Sequence, residues 1–330
     1  MYKGHIISVS TGEKTHGNPG VVFFDDISDE DMALMAPVVR LKECGNDVIP
    51  SVVLLKPKDI KNYTFDAKFY WPLGQQGPLC GQGVIMAARA IKDKYDTPDG
   101  TTITLLPDQK FGPGAAPEKF HLWVEGDNVR SMLGGVDIAP ATRKDKAANA
   151  LTNALPSIIP GTIFKSSLGD YMCLYRSTEE LRAGTDAFNK AYDEIKTFDP
   201  DVFGLLVAAP TKNGKGIEAT LSSMGETCIT CSNIGLEMGQ MMQELGILPD
   251  ASGDGLHQFD IIHPHRVADT GELGATSTIK YNPQKDSACV ELLASVKGET
   301  YLYRDSDGTF KQNDKIAIPN TVLKLRTNSR

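Results

Sequence analysis

Two cysteines, Cys80 and Cys231, each open a stretch with helical periodicity and each stand beside small or amide residues. Cys80-Gly81-Gln82-Gly83 leads into VIMAARAI, and Cys231-Ser232-Asn233-Ile234 leads into GLEMGQMM. They are separated by close to half of the 330-residue chain. A pattern recurring at that separation points to two copies of one structural unit, with coincidence as the alternative. Any fold for this chain then has to present two helix starts in comparable surroundings.

Around these turns, runs rich in β-branched and aromatic residues, bounded by Gly, Pro, Asn or Asp, predict strands. They fall at 20–26, 49–57, 67–74, 101–108, 119–126, 161–167, 170–176, 201–210, 289–296 and 299–305. Helical periodicity is clearest over 83–95, 143–155, 178–198 and 234–246, the last ending at Gly246 as a residue just past a helix C-terminus would. The balance is that of a strand-rich α+β protein. FGPGAAPEK at 111–119 is the first candidate for a crossing between domains, and LPDASGDG at 248–255 reads as a surface loop.

Composition narrows the functional classes. With 41% hydrophobic and 23% charged residues the chain can bury a real core, and 34 Lys+Arg against 42 Asp+Glu give a net charge of −8. No basic run is denser than KPKDIK at 56–61 or RKDK at 143–146, which argues against nucleic acid and against anionic membranes. The N-terminal apolar stretch IISV is too brief for a secretory signal, so a cytosolic location is expected. Six cysteines spread over this length are expected to be free thiols.

A cysteine in the first turn of a helix sees unpaired backbone N–H groups and the positive end of the helix dipole, both of which favour thiolate. Gly81, Gly83 and Ser232 leave those N–H groups accessible, so the same turns could cradle a carboxylate. Two such turns facing each other could remove a proton from the carbon next to that carboxylate on one face and deliver one to the other. That is racemisation or epimerisation without a cofactor, the developing enolate being stabilised by preorganised donors. Other uses of the same residues compete. Cys228-Ile229-Thr230-Cys231 is formally a C-x-x-C, and with His263 and His265 of His263-Pro264-His265 it would supply a zinc set; alone, it would suit a thioredoxin-like redox turn. Neither is preferred, because there is no second C-x-x-C and the chain lacks a small βαβ pattern. Cys44, Cys173 and Cys289 read as buried packing residues, and Trp71 and Trp123 as core.

These residues resemble the diaminopimelate epimerase-like superfamily, which includes diaminopimelate epimerase, proline racemase and the isomerase family of phenazine biosynthesis. His16-Gly17-Asn18-Pro19-Gly20 is similar to its opening turn, Leu79-Cys80-Gly81-Gln82-Gly83 to its first active-site loop, and Gly225-Glu226-Thr227 to the segment before the second catalytic cysteine of the epimerases. Glu272-Leu273-Gly274-Ala275-Thr276-Ser277 is similar to the closing segment of the phenazine-type members. The resemblance implies two pseudo-symmetric domains, each a curved, mainly antiparallel sheet around a central helix, with the active site between them. Their expected extents are 1–114 and 115–299, with a C-terminal strand from about 300–330 completing the first. It implies Cys80 and Cys231 as the acid/base pair; Cys228 is open to three readings, as packing, as a substitute acid/base where the phenazine-type members have an aspartate, or as a redox partner of Cys231. Asn18, His16, Gly81, Gln82, Gly83, Glu226, Thr227, Ser232 and Asn233 are expected around a small carboxylate substrate. No cofactor and no metal are expected, and a homodimer is left open.

The departures matter as well. Phenazine-type members carry a histidine where this chain has Gln82, an aspartate where it has Cys228, and a glutamate near Pro50-Ser51, where the closest carboxylate here is Glu43. Two alternatives therefore stand beside the racemase: an isomerase that shifts a proton and a double bond with a single cysteine, and an inactive binding protein on the same fold.

Overall fold

In the computed structural model the chain is described over residues 1–9, 17–43, 46–48, 50–71, 74–77, 80–108, 119–134, 136–142, 144–214, 216–223, 226–228, 234–267, 271–285 and 287–313. From the N-terminus it runs through β1 (Tyr2–Val9), β2 (Asn18–Phe23), α1 (Asp29–Met35) and a small hairpin of β3 (Leu41–Glu43) and β4 (Asn46–Val48). Then come β5 (Ser51–Asp59), β6 (Thr64–Tyr70), the two-residue β7 (Gln76–Gly77), α2 (Gly81–Tyr95), β8 (Thr102–Pro107), β9 (Phe120–Glu125) and β10 (Asn128–Gly134). The second half carries β11 (Ile138–Pro140), α3 (Lys146–Ala154), β12 (Phe164–Ser166), β13 (Asp170–Leu174), α4 (Thr178–Ala183) and α5 (Thr185–Lys196). It continues with β14 (Gly204–Pro210), β15 (Gly216–Ser223), β16 (Glu226–Cys228), α6 (Ile234–Glu244), β17 (His257–Val267) and β18 (Gly271–Asn282). The described chain closes with the long β19 (Ser287–Arg304) and β20 (Phe310–Gln312).

Pairing turns this list into two curved sheets. In the first, β1, β2, β5, β6, β8, β9, β10 and β19 hydrogen-bond in that order, and β19 returns to β1, so the ring closes. In the second, β11, β12, β13, β14, β15, β17, β18 and β19 follow one another. The β19 strand belongs to both: its Ser287–Glu291 segment lies between β10 and β18, β10 follows it on to Leu293, and its Ala294–Leu302 segment lies along β1. The halves thus share a strand and do not part at a single point of the chain.

Each sheet wraps one helix whose sequence explains its place. The residues of α2 from Gly81 to Ala88, and Ala90 and Ile91, are buried, as are Ile234 to Met242 of α6. Helices that are mostly apolar around their circumference have little solvent face to offer and sit inside a core. Both belong to one continuous apolar cluster that joins Val53, Phe69, Val84 and Met86 to Leu206, Ile234, Met238 and Val290. Glycines let the strands approach α6: a Cβ on Gly235 would lie 2.6 Å from Ile279 Cδ1, and one on Gly239 2.6 Å from the Tyr281 ring. The amphipathic helices lie outside the sheets, α3 and α5 over Leu205, Val207 and Ala209, and α1 over Phe23 and Leu54. Among the described residues no helix is long and apolar enough to cross a membrane.

The expected helices over 83–95, 143–155 and 234–246 are present as α2, α3 and α6. The run 178–198 is two helices, because Gly184 ends α4 and α5 begins directly after it. The runs 289–296 and 299–305 are one strand: the register slips opposite Ile6/Ile7, where Gly298 adopts φ +149°, so a bulge carries the pairing through. The α1 helix was not among the expected elements, nor were β1 and β10 of the first ring, β11, β15 and β17 of the second sheet, or the short strands β3, β4, β7, β16 and β20.

Candidate active site

Cys80 caps α2. Its backbone is extended (φ −133°, ψ 108°) and its Sγ accepts the Gly83 N–H at 3.3 Å, so the thiol occupies the place an N-cap hydroxyl usually takes. The turn lies flat on the floor made by β5 and β6, where a Cβ on Gly83 would come within 2.7 Å of Phe69 Cδ1 and 3.0 Å of Val53 Cγ2. Gly83 is therefore required by close approach as well as by access to its N–H.

Asn18 and Gln82 meet beside this turn. Asn18 Nδ2 donates to Gln82 Oε1 at 2.7 Å, and Gln82 Nε2 donates back to the Asn18 and Pro19 carbonyls at 3.1 and 3.3 Å. Both side chains are buried, so these bonds replace water that neither amide can reach. They tie the start of β2 to the first turn of α2. Gly20, next along β2, faces Met86, whose Sδ would lie 2.0 Å from any Cβ there.

The Cys80 thiol is 8% exposed, and burial pushes its pKa up; the N–H of Gly83, the Ser51 hydroxyl and the N–H of Gln82 each pull against that shift without reversing it. This differs from the simple expectation for a helix-start thiol, because desolvation of the thiolate outweighs three donors. At neutral pH Cys80 is held as the thiol. Ser51 was missed in the sequence, although its position was noted as lacking a carboxylate. It pairs with Gly20 across β2 and β5, which brings its hydroxyl to the sulfur.

Among the described residues one ring contact, made ahead of α2, joins the two halves. Trp71 follows β6, and the short chain from it passes through β7 into Cys80; its ring packs on Phe203 at 5.6 Å between centroids. Phe203 precedes Gly204, against whose backbone lies Asp170 Oδ1, and the Asp170 carboxyl meets Glu237 in the first turns of α6. Trp71 thus packs between the halves and is not available as a stacking platform on that face.

Of the other expected site residues, Gly81 is buried in the first turn of α2. Glu226, Thr227 and Cys228 form β16, paired in register with Ser223, Ser222 and Leu221. His16, Cys231, Ser232 and Asn233 lie outside the described residues. His263 is buried on β17; burial pushes its pKa down to about 4, a backbone hydrogen bond with Ala219 opposing part of the shift. Cys173 is fully buried in the outer core of the second half, where burial pushes its thiol up, and Cys289 is partly buried on β19.

No protein-family model matches the chain, and no curated protein matches it by sequence. Solved structures do. The chain superposes on a putative phenazine biosynthesis PhzC/PhzF protein from Clostridium difficile strain 630 with a TM-score of 0.63 at 13% identity, covering 91% of this chain and 98% of that one. The same coverage and TM-score, at 15% identity, relate it to a protein from Pseudomonas aeruginosa described as a predicted epimerase. The fold is the one these two proteins share. A hydroxyproline epimerase from Agrobacterium vitis, solved with bound trans-4-hydroxy-L-proline, shares it at a TM-score of 0.54 and 12% identity, over 90% of this chain and 91% of that one. A likeness of this kind extends over both halves, and it includes proteins with racemase, epimerase and phenazine-type descriptions alike.

Proposed function

We propose that the chain is a cofactor-independent isomerase that moves a proton at the carbon next to a carboxylate, using Cys80 and Cys231. The observation that carries this reading is the Cys80 turn itself: a thiol held at a helix start, with backbone N–H groups directed at its sulfur and glycines on either side of Gln82. The fold likeness to proteins described as an epimerase and a hydroxyproline epimerase supports it.

The chemistry follows from the protonation state. Cys80, kept as a thiol by burial, is the acid in one direction of reaction, and Cys231 is the thiolate base. The base takes the Cα proton, the electron pair moves into the carboxylate as an enolate, and Cys80 delivers its proton to the opposite face. The sulfurs end with exchanged protonation states. N–H groups at the two helix starts hold the carboxylate and gain strength as its charge grows. A small amino acid or related acid fits this scheme.

One observation favours a competing reading. The Asn18 and Gln82 amides satisfy each other, and Cys80 is not activated by its surroundings, as a binding protein on the same fold would allow. Incubation of either enantiomer of a panel of amino and hydroxy acids in D₂O distinguishes them. A racemase introduces deuterium at Cα, a double-bond isomerase introduces it at a distal carbon, and a binding protein introduces none. Loss of enantiomer interconversion in both Cys80→Ser and Cys231→Ser supports the two-thiol scheme, and interconversion retained by either one refutes it.

A further inference from the structure

The second half buries two carboxyl groups against each other. Asp170, at the start of β13, is 4% exposed and Glu237, in the first turns of α6, is 1% exposed. The two carboxyls meet, and the Ser166 hydroxyl reaches Glu237. Around them lie Met172, Leu206, Ile234 and Met238. Among the described residues Asp170 Oδ1 and Glu237 Oε1 have no hydrogen-bond partner, and no cation contributes to the electrostatics of either group. Two carboxylates in contact in an apolar core cannot both be ionised without a cation, so a proton must lie between them.

We propose that Asp170 and Glu237 share a proton, and that this acid pair fixes the start of α6 against β13 and β14, positioning the second half of the cleft only while the proton is bound. The link to the cleft rests on the reading of residues 231–233 as the second helix-start turn. The seam position of the pair strengthens it, since Asp170 packs on Gly204 and Phe203 packs on Trp71 from the other half.

Other titratable groups facing this side of α6 are few. Strand β17 presents His263 and β18 presents Tyr281, whose hydroxyl donates to Gln243. Strands β14, β15 and β19 present Leu206, Ala219, Leu221 and Val290, and β12 presents Ser166. Burial raises Asp170 to about 6 and holds Glu237 well above the usual carboxylate range. Raised carboxyls bind protons more tightly folded than unfolded, so folding is favoured at low pH and loses stability as pH climbs from the unfolded value toward the folded one. The lowered pKa of His263 acts in the opposite sense, but only below about 6.5, its ordinary value. Above that pH the acid pair is left as the contributor from this core.

The test compares the full chain with Glu237→Gln and Asp170→Asn from pH 6.5 to 8.5, by thermal unfolding and by amide hydrogen exchange in the first turns of α6. A glutamine at 237 can donate to Asp170 and accept from Ser166 with no proton to lose. We expect the unmodified chain to lose melting temperature over this range, and exchange in α6, corrected for the intrinsic base-catalysed rate, to rise by about tenfold per pH unit while one proton is being lost. Glu237→Gln should be flat and the more stable protein at pH 8.5, and Asp170→Asn, in which burial alone still raises Glu237, should lose stability less steeply than the unmodified chain. Equal slopes in all three proteins, or protection of α6 that does not respond to pH in the unmodified chain, would overturn the proposal. If Glu237→Gln cannot be folded, Asp170→Asn carries the same comparison. Neither readout uses catalysis, so failure here is distinct from failure of the deuterium test.

Discussion

Replacing Gln82 by leucine tests whether the amide pair holds the first helix start in place. The side chains are similar in volume, so little cavity is expected, and the cost lies in polar groups left behind. Asn18 Nδ2 loses its 2.7 Å acceptor in a site where Asn18 is 7% exposed, and the Asn18 and Pro19 carbonyls lose donors at 3.1 and 3.3 Å. An orphaned buried donor costs about 1–3 kcal/mol and each lost neutral bond about 1 kcal/mol net; the two carbonyls lie at ladder positions of β1 and β2, so they count for less, giving about 3 kcal/mol in all. Urea unfolding of Gln82→Leu should show the midpoint lowered at unchanged slope. Combining it with Asn18→Leu removes the orphan, so the double variant should be less destabilised than the two single losses summed, with a coupling on the order of 1–2 kcal/mol. Additive losses, or a Gln82→Leu loss under about 0.5 kcal/mol, the ordinary range for a surface change, would refute the reasoning.

Three further outcomes follow from the same structure. Ser51→Ala withdraws a donor from the Cys80 sulfur; its pKa should rise further, and iodoacetamide labelling of Cys80 at pH 7.5, followed by peptide mass spectrometry, should slow by on the order of tenfold, one bond to an ionised sulfur being about 1.4 kcal/mol. Arg182→Met leaves Glu218, 2% exposed, without the guanidinium that now grips it at 2.7 and 2.8 Å. The loss should be about 2–3 kcal/mol, below the usual 3–5 for breaking a buried pair because Arg182 is 41% exposed, and Arg182→Met/Glu218→Leu should recover part of it in chemical denaturation. His263 is neutral when folded, with its pKa depressed to about 4; stability present above pH 6.5 is lost as pH falls through that window, by roughly 3 kcal/mol. His263→Leu should lack that acid-side loss, and a His263→Leu curve parallel to the unmodified one between pH 7 and 4 would show that this histidine is not the group responsible.

The α2 helix could be read from its sequence because local and global signals agree: a capping thiol, a glycine-rich first turn and a stretch mostly apolar around its circumference. The α1 helix was equally signposted by Ser28 as its cap and by Asp29, Glu30 and Asp31 in its first turn, but seven residues are too short to show periodicity. The site was legible only where it is local. Cys80, Gly81 and Gly83 lie in one turn, whereas Ser51 and Asn18 reach it from β5 and β2 through sheet pairing that spacing alone does not disclose. Glu237 illustrates the limit from the other side. Nothing in IGLEMGQMM singles out its glutamate, and only the strand carrying Asp170, far away in sequence, gives that buried position its partner. The two apolar runs of β19 looked like separate strands because Gly298 interrupts them, and the bulge that joins them depends on the partner strand β1.

The shared strand has a consequence for how the molecule is made. Tyr2 is bonded to Leu302, so the first ring cannot close until almost the whole described chain has left the ribosome. Such long-range pairing must pay its loop-closure entropy before it is rewarded, and it is slow for that reason. During synthesis β1 and β2 wait with one flank of β1 unpaired, an exposed edge of Ile6, Ile7 and Val9 that other nascent chains can also recognise. A C-terminal truncation before β19 should therefore abolish the first half as well as the second, and a circular permutation joining β19 directly to β1 should shorten the search and speed refolding.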